Sequence, residues 1–277
     1  MTVPPYAGAP APIPAWATLV RANNPGPMTL EGTNTYVLCA PGSELAVVVD
    51  PGPLDEDHLA AVSRVAPVGL VLLTHGHPDH SDGAFALQEI TGAPLAAADP
   101  QFCVDADPLS GGAVLTGVGG VEVRVLATPG HTGDSVSLVV ADDVPGLLTG
   151  DTILGRGTTV VAHPDGRLAP YLSSLAAIRD LDLPVTLLPG HGPAGGAARE
   201  RAAAYLAHRA RRLDQVRAAL AAGDTTPEEV VRRVYADVDP VLWPAAELSV
   251  RAQLDYLAEL RPEGVSRRGG GGGPGRG

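Results

Sequence analysis

Four times along this chain an apolar run ends in a Gly-, Pro- or Thr-containing turn that delivers a metal-capable side chain. Val68–Thr74 leads to His75, Val123–Gly130 to His131, Pro145–Gly150 to Asp151 and Val185–Gly190 to His191. The first turn is the densest, His75-Gly76-His77-Pro78-Asp79-His80, and five of the eight histidines lie in these turns. A single catalytic ion takes about three protein ligands. Seven candidates are therefore enough for two ions, with Asp79 and His80 surplus to the first. Mixed imidazole and carboxylate donors favour Zn2+, with Fe or Mn as alternatives. Neither Cys39 nor Cys103 is near these turns, so a thiolate-held structural zinc is not expected. Two ions about 3.5–4 Å apart can share a hydroxide, a nucleophile at neutral pH, while polarising the oxygen of the bond under attack. The chemistry expected from this constellation is hydrolysis.

Side chains so far apart in the chain need strands to bring their turns together. Short β-branched runs occur at Thr35–Leu38, Leu45–Val49, Val68–Thr74, Val121–Ala127, Ser135–Val140, Gly146–Thr149 and Val185–Leu188. Helical periodicity appears at Asp55–Val65, Gly83–Thr91 and Tyr171–Asp180. Such alternation predicts a layered α/β domain with a site where loops converge at strand ends. After Gly195 the chain reads as helical. Ala197–Ala222 is Arg- and Ala-rich, Thr226-Pro227-Glu228-Glu229 opens a second helix with a capping box, and a third follows Trp243-Pro244 to about Leu260. With the turn Arg261-Pro262-Glu263-Gly264 this predicts a small winged-helix-like domain. The expected division is a Pro-rich arm over 1–15, a catalytic domain over 16–196, a helical domain over 197–266 and a disordered Gly-rich tail over 267–277.

Composition excludes several classes. No apolar stretch approaches the roughly 18 residues of a membrane span, and Met1–Pro14 lacks the basic residues of a secretory signal. No membrane partner is expected, and the default location is cytoplasmic. Residues 1–196 hold 20 acids against 6 arginines, and residues 197–277 hold 11 against 13. An acidic main domain is a poor partner for duplex DNA, whose binding rests on clustered positive charge. The expected recognition helix, about Pro244–Leu260, carries Glu247, Arg251, Asp255 and Glu259, which opposes a major-groove reader. Arg199, Arg201, Arg209, Arg211, Arg212 and Arg217 form the better basic patch, read here as a solvated helix face.

The turn His75–His80 with the later His131, Asp151 and His191 resembles the signature of the metallo-β-lactamase superfamily, HxHxDH followed by single His, Asp and His ligands. That resemblance implies an αββα sandwich with metals at one edge, then the helical winged-helix-like domain. It also implies a ligand set: His75, His77 and His131 on one ion; Asp79, His80 and His191 on the other; Asp151 bridging; and Asp79 in a catalytic role as well. Gly32-Thr33-Asn34-Thr35-Tyr36, Gly155-Arg156-Gly157-Thr158-Thr159, Tyr171–Leu175 and Leu188–Pro193 are similar to the lactamase-beta-like protein two group. Animal members of that group are described as single-stranded RNA endonucleases, and some fungal relatives as thioesterases in polyketide assembly. Many antibiotic-degrading members have a cysteine where this chain has Asp151, so β-lactam hydrolysis is not the expected activity. Asp50, ending Ala46–Val49 before Pro51-Gly52, resembles the buried aspartate that orients the ligand loop, although Asp-Pro-Gly is also a turn sequence. His163 and Tyr171 are candidates for the substrate side, while His58 and His208 are assigned to the surface or an interdomain position. The expected substrate is a small or carrier-linked acyl ester or thioester. Single-stranded RNA is the alternative, and a winged-helix nucleic-acid-binding regulator with a vestigial metal domain is the non-enzymatic one.

Overall fold

The computed structural model describes residues 13–161 and 163–260. Residues 1–12 of the expected arm, the turn 261–264 and the tail 267–277 lie outside them. Of the arm's last residues, Ile13 packs against the core and Pro14 is buried, its carbonyl accepting from the Ala17 amide.

Two five-stranded sheets form the heart of the fold. The first has the order β1 (Ala17–Arg21), β2 (Asn34–Leu38), β3 (Ala46–Val49), β4 (Val68–Leu72), β5 (Leu95–Ala96). The second runs β10 (Thr186–Pro189), β9 (Gly146–Gly150), β8 (Val136–Val140), β7 (Val123–Ala127), β6 (Val114–Leu115). Strand alternation divides the apolar side chains between layers. Tyr36, Leu38, Val47, Val49, Leu138, Val140, Leu148 and Leu188 meet between the sheets. Val37, Ala46 and Val48 point the other way, onto helices α1 (Glu56–Ser63) and α3 (Ala84–Thr91). On the far side of the second sheet Val139, Leu147 and Leu187 pack against α4 (Leu168–Arg179) and α5 (Ala198–Ala221). The result is the expected αββα sandwich.

Helices α6 (Pro227–Val234) and α7 (Trp243–Glu259) complete the C-terminal part. The capping box at Thr226 and Glu229 forms as its sequence implies. One continuous apolar cluster runs from Val139 and Leu147 through Tyr171 and Tyr205 to Val216, Val231 and Val250, so the C-terminal helices share a core with the second sheet. All seven expected strands are present. The additional ones are the half-exposed edge strand β1 and the two-residue strands β5 and β6. Among the described residues no helix is long and apolar enough to cross a membrane.

Candidate metal centre

The ligand-bearing turns of both sheets open on the same edge of the sandwich. After β4 the chain turns at His75 and enters a one-turn helix, α2 (Pro78–Ser81), with His77 at its N-cap and Pro78 supplying the fixed φ of the first position. This turn presents His75, His77, Asp79 and His80. The second sheet brings His131 from the β7–β8 turn, Asp151 from the end of β9 and His191 from the end of β10. Two glycines make the approach possible. A Cβ on Gly130, φ +138°, would lie 2.3 Å from the Tyr171 Cα, and one on Gly150, φ +46°, 2.3 Å from the Thr74 hydroxyl.

All seven expected ligands come together. His75, His77 and His131 form one group of converging donor atoms, and Asp79, His80 and His191 a second. Asp151 lies between them: Oδ1 is 3.5 Å from His80 Nε2 and 3.4 Å from His191 Nε2, and Oδ2 is 3.8 Å from His131 Nε2. Oδ1 is buried yet has no hydrogen-bond partner. A buried carboxylate oxygen left in that state is costly unless a cation completes its surroundings.

The outer nitrogens of four histidines are committed elsewhere, which sets the tautomers. His80 Nδ1 donates to Asp50 Oδ2 at 2.9 Å and His131 Nδ1 to the Val160 carbonyl at 2.6 Å. His191 Nδ1 faces the Gly32 carbonyl at 3.3 Å. Thr74 Oγ1 donates to Asp50 Oδ2 at 2.7 Å, so its oxygen accepts from His75 Nδ1, 3.1 Å away. In the neutral form that binds a metal, the inward Nε2 atoms of all four therefore carry lone pairs. His75 and His131 Nε2 lie 3.1 and 3.0 Å from His77 Nδ1, and His80 Nε2 lies 3.2 Å from His191 Nε2. Lone pairs facing one another at these distances repel unless a cation or proton sits among them, so the donor set fits metal ions.

Charge follows the same geometry. Burial lowers His75 far below the ordinary histidine range, helped by neighbouring His80 and His131. Burial opposes protonation of His80 too, but Asp50 and Asp151 outweigh it and raise it. His191, likewise against burial, is raised to about 9 by Asp151 and then Asp79. Burial would raise Asp151, yet His191 and His80 hold it well below the usual carboxylate range.

Asp50 is buried and sits at φ 51°, a left-handed conformation uncommon outside glycine, asparagine and aspartate. It forms the turn and also braces the ligand loop, accepting from the Thr74 amide at 2.7 Å, the Thr74 hydroxyl and His80. Three supports went unassigned in the sequence. Thr33 Oγ1 donates to Asp79 Oδ2 at 3.3 Å, Asn34 Nδ2 bridges the Pro189 and Gly192 carbonyls around His191, and Thr35 Oγ1 donates to the Asp50 carbonyl. All three belong to Gly32–Tyr36, and that motif was the available signal.

A cavity of about 460 Å³ opens beside the cluster, with His131 and Asp151 in its wall and Met28, Leu30, Leu154, Val238 and Leu242 among its apolar lining. Neither substrate-side candidate lines it. Tyr171 is fully buried and donates its hydroxyl to the Thr152 carbonyl at 2.8 Å, and His163 pairs with Asp255 at 3.0 Å beside a separate small cleft. His58 is neither at the surface nor between the two parts: it is buried and meets Thr35 Oγ1 at 2.8 Å beneath the Asp50 turn, whereas His208, also buried, lines the cavity between residues of the main and helical parts, the interdomain alternative. The arginine patch of α5 is a solvated face only in part, at Arg199, Arg211 and Arg217. Arg201, Arg209 and Arg212 are buried over the rings of Tyr205, Tyr171 and Tyr235 and donate to backbone carbonyls.

Comparison with known proteins agrees with this architecture. Residues 28–191 match the family described as the metallo-beta-lactamase superfamily, and residues 226–262 the beta-lactamase associated winged helix domain. A beta-lactamase-like protein 2 homolog of Drosophila melanogaster is 34% identical over 88% of this chain and 87% of its own length. An atrochrysone carboxyl ACP thioesterase of Aspergillus fumigatus is 35% identical over 62% of this chain and 55% of its own. The crystal structure of a metallo-beta-lactamase family protein from Thermus thermophilus superposes with a TM-score of 0.74 at 23% identity, covering 88% of this chain and 93% of that one. The chain belongs to the metallo-beta-lactamase superfamily, as an enzyme of the hydrolase fold with the associated winged helix domain at its C-terminal end.

Proposed function

We propose that the protein is a dinuclear metal-dependent hydrolase of acyl esters or thioesters, small or carrier-linked. The observation that carries this reading is the cavity. It opens on His131 and Asp151, its wall is mainly apolar, and its volume of about 460 Å³ suits a small molecule or an acyl chain. The thioesterase name of the Aspergillus fumigatus relative supports the same bond class.

In this reading His75, His77 and His131 would hold one ion and Asp79, His80 and His191 the other, with Asp151 shared between them. Zinc suits the donors, and iron or manganese would also be accepted. When bound, the ions supply Lewis acidity toward the carbonyl oxygen and make a water molecule acidic enough to react at neutral pH. The chain's own groups do the rest. Asp50, Thr74, Val160 and Gly32 fix the imidazole tautomers, and Thr33 holds Asp79, whose carboxylate lies 3.0 Å from His191 Nε2 and can accept a proton at the reacting face. The apolar wall excludes water around the acyl chain. The division into a catalytic part over 16–196 and a helical part over 197–266 belongs to the same proposal.

Arg201, Arg209 and Arg212 turn inward from the outer face of α5, leaving Arg199, Arg211 and Arg217 on the surface that a polynucleotide backbone would follow, which weakens the RNA alternative. The regulator alternative has less support still: on α7, Asp255 and Glu259 are tied to His163 and Arg167 of the main domain. The test is metal-reconstituted turnover of acyl thioesters, esters and lactones beside a fluorescent single-stranded RNA, with Asp79→Ala as control. Metal-dependent thioester or ester turnover lost in the control is expected. Efficient RNA cleavage with every acyl substrate inert would reverse the assignment.

A further inference from the structure

The cavity wall is charged against the trend of its surroundings. Residues 1–196 hold 20 acids against 6 arginines. Yet beyond the centre's own His131 and Asp151, the ionisable side chains along this cavity include Arg156, His208, Arg209 and Arg212 and no carboxylate among the described residues. Arg156 is exposed and engaged with Glu31 at 2.7 Å. Arg209 and Arg212 are different: 3% and 6% exposed, they sit one turn apart on α5.

A buried guanidinium normally has a carboxylate partner or a full set of acceptors. Among the described residues neither arginine forms an ion pair. Thr159 and Val234 carbonyls and the Gln215 side chain take some of their N–H groups, but the Nε of each is buried with no hydrogen-bond partner. Asp237, which feels the field of Arg212, is exposed. His208 records the resulting potential: burial first, then Arg209 and Arg212, push it down to about 3, so this imidazole stays neutral beside them. The fold thus keeps two under-satisfied cations in the wall of an apolar cavity that reaches the candidate metal centre.

We infer that this cavity takes a substrate carrying an anionic group as well as a hydrocarbon body, the anion bound at Arg209 and Arg212 while the carbonyl lies at His131 and Asp151. This rests on the acyl-hydrolase reading and narrows its substrate class. The anion can belong to the acyl side, as a remote carboxylate, or to the thiol side, as the phosphate of a carrier arm. Paired substrates separate these sources. One set is a length series of ω-carboxyacyl thioesters of an uncharged thiol, each against its plain acyl counterpart. The other is the same plain acyl chain on phosphopantetheine and on uncharged pantetheine.

The expected result is a kcat/KM preference of about tenfold or more for the charged member of one pair, the size of a charge-assisted hydrogen bond. That ratio should fall toward one in Arg209→Met and Arg212→Met and be partly retained in Arg212→Lys. Equal turnover of charged and neutral members by the wild-type enzyme would overturn the inference while leaving the hydrolase reading standing. Calorimetry on the wild-type protein covers the opposite failure. If no thioester is hydrolysed, tighter binding of dicarboxylates than of matched monocarboxylates, or of phosphopantetheine than of pantetheine, still supports the anion site. Equal binding in both comparisons overturns it.

Discussion

Thr74→Val isolates the hydrogen-bond relay beneath the candidate metal centre. The two side chains are nearly isosteric and Thr74 is buried, so packing at the end of β4 is preserved and only the hydroxyl is lost. That hydroxyl donates to Asp50 Oδ2 at 2.7 Å and accepts from His75 Nδ1 at 3.1 Å. Its removal deletes a charge-assisted hydrogen bond, a loss of about 1.5–3 kcal/mol, and leaves the His75 N–H without its acceptor, about 1–3 kcal/mol. Asp50 keeps the Thr74 amide and His80, so the two losses overlap, and about 2–4 kcal/mol in the metal-free protein is the expected total. His75 also becomes free to adopt the other tautomer or to rotate. Weakening of the ion at His75, His77 and His131 by about 10–100-fold follows from losing such a supporting contact. Chelator-competition titration with zinc would read the affinity, and urea denaturation of the metal-free protein the stability. Thr74→Ser should restore most of both. Unchanged affinity and stability in Thr74→Val would refute the relay and leave Thr74 as a β-branched strand end.

Metal analysis of the reconstituted protein should approach two ions per chain. Asp151→Ala should lose both ions together with activity, whereas Asp79→Ala should lose mainly one; equal metal content in the two variants would remove Asp151 from its bridging place. Gly130→Ala should abolish soluble expression or lower stability by several kcal/mol, on the order of the largest single-site effects, because its Cβ would overlap the backbone of α4 at Tyr171; a native melting curve would contradict the close approach. For His208 the folded pKa of about 3 lies below the ordinary 6.5, so as pH falls through 6.5 the unfolded chain takes up a proton that the folded one refuses. Its contribution is therefore complete above pH 6.5 and declines toward pH 3, by at most about 1.4 kcal/mol per pH unit. His208→Gln should flatten that part of the stability–pH profile, and an unaltered profile would show His208 protonated in the fold. A fragment ending at residue 196 should be poorly soluble, since Val139, Leu147 and Tyr171 lose the cover of α5 and its neighbours; a monomeric, cooperatively folding fragment would show the shared core to be dispensable.

The strands were legible where β-branched residues cluster, as in Val68–Leu72 and Val136–Val140, because these strands are wholly or largely buried and almost any apolar pattern then reads as strand. β1 was not, since Ala17–Arg21 lies at a half-exposed edge, and two-residue strands such as β5 carry no periodicity at all. The ligand cluster was visible because metal-capable side chains repeat after strand ends. What supports it was far less so: Asn34 acts through carbonyls 155 and 158 residues away, a relation that no local pattern encodes. The arginines of α5 were misread for a related reason. Their spacing with Glu200 and Asp214 looks like a solvated face, and only the tyrosines and carbonyls supplied by α4, α6 and the loop after Asp151 turn part of it inward. His163 and Tyr171 lie near the centre in sequence motifs, yet side-chain direction, which those motifs do not carry, takes both away from the cavity.

Each candidate triad draws two donors from the loop after β4 and one from the other sheet: His75 and His77 with His131, and Asp79 and His80 with His191. An ion held by either triad therefore spans the boundary between the two sheets, and it cannot be fully coordinated while they are apart. Occupancy and sheet docking become linked equilibria. Above the dissociation constant, each tenfold rise in free zinc should add about 1.4 kcal/mol per ion to the docked state. Depletion should loosen the edge of the sandwich before it disturbs either sheet. Amide exchange in the His75–Ser81 and Gly190–Gly192 turns would then follow metal concentration, while the centres of β3 and β8 exchange at the rate of global unfolding.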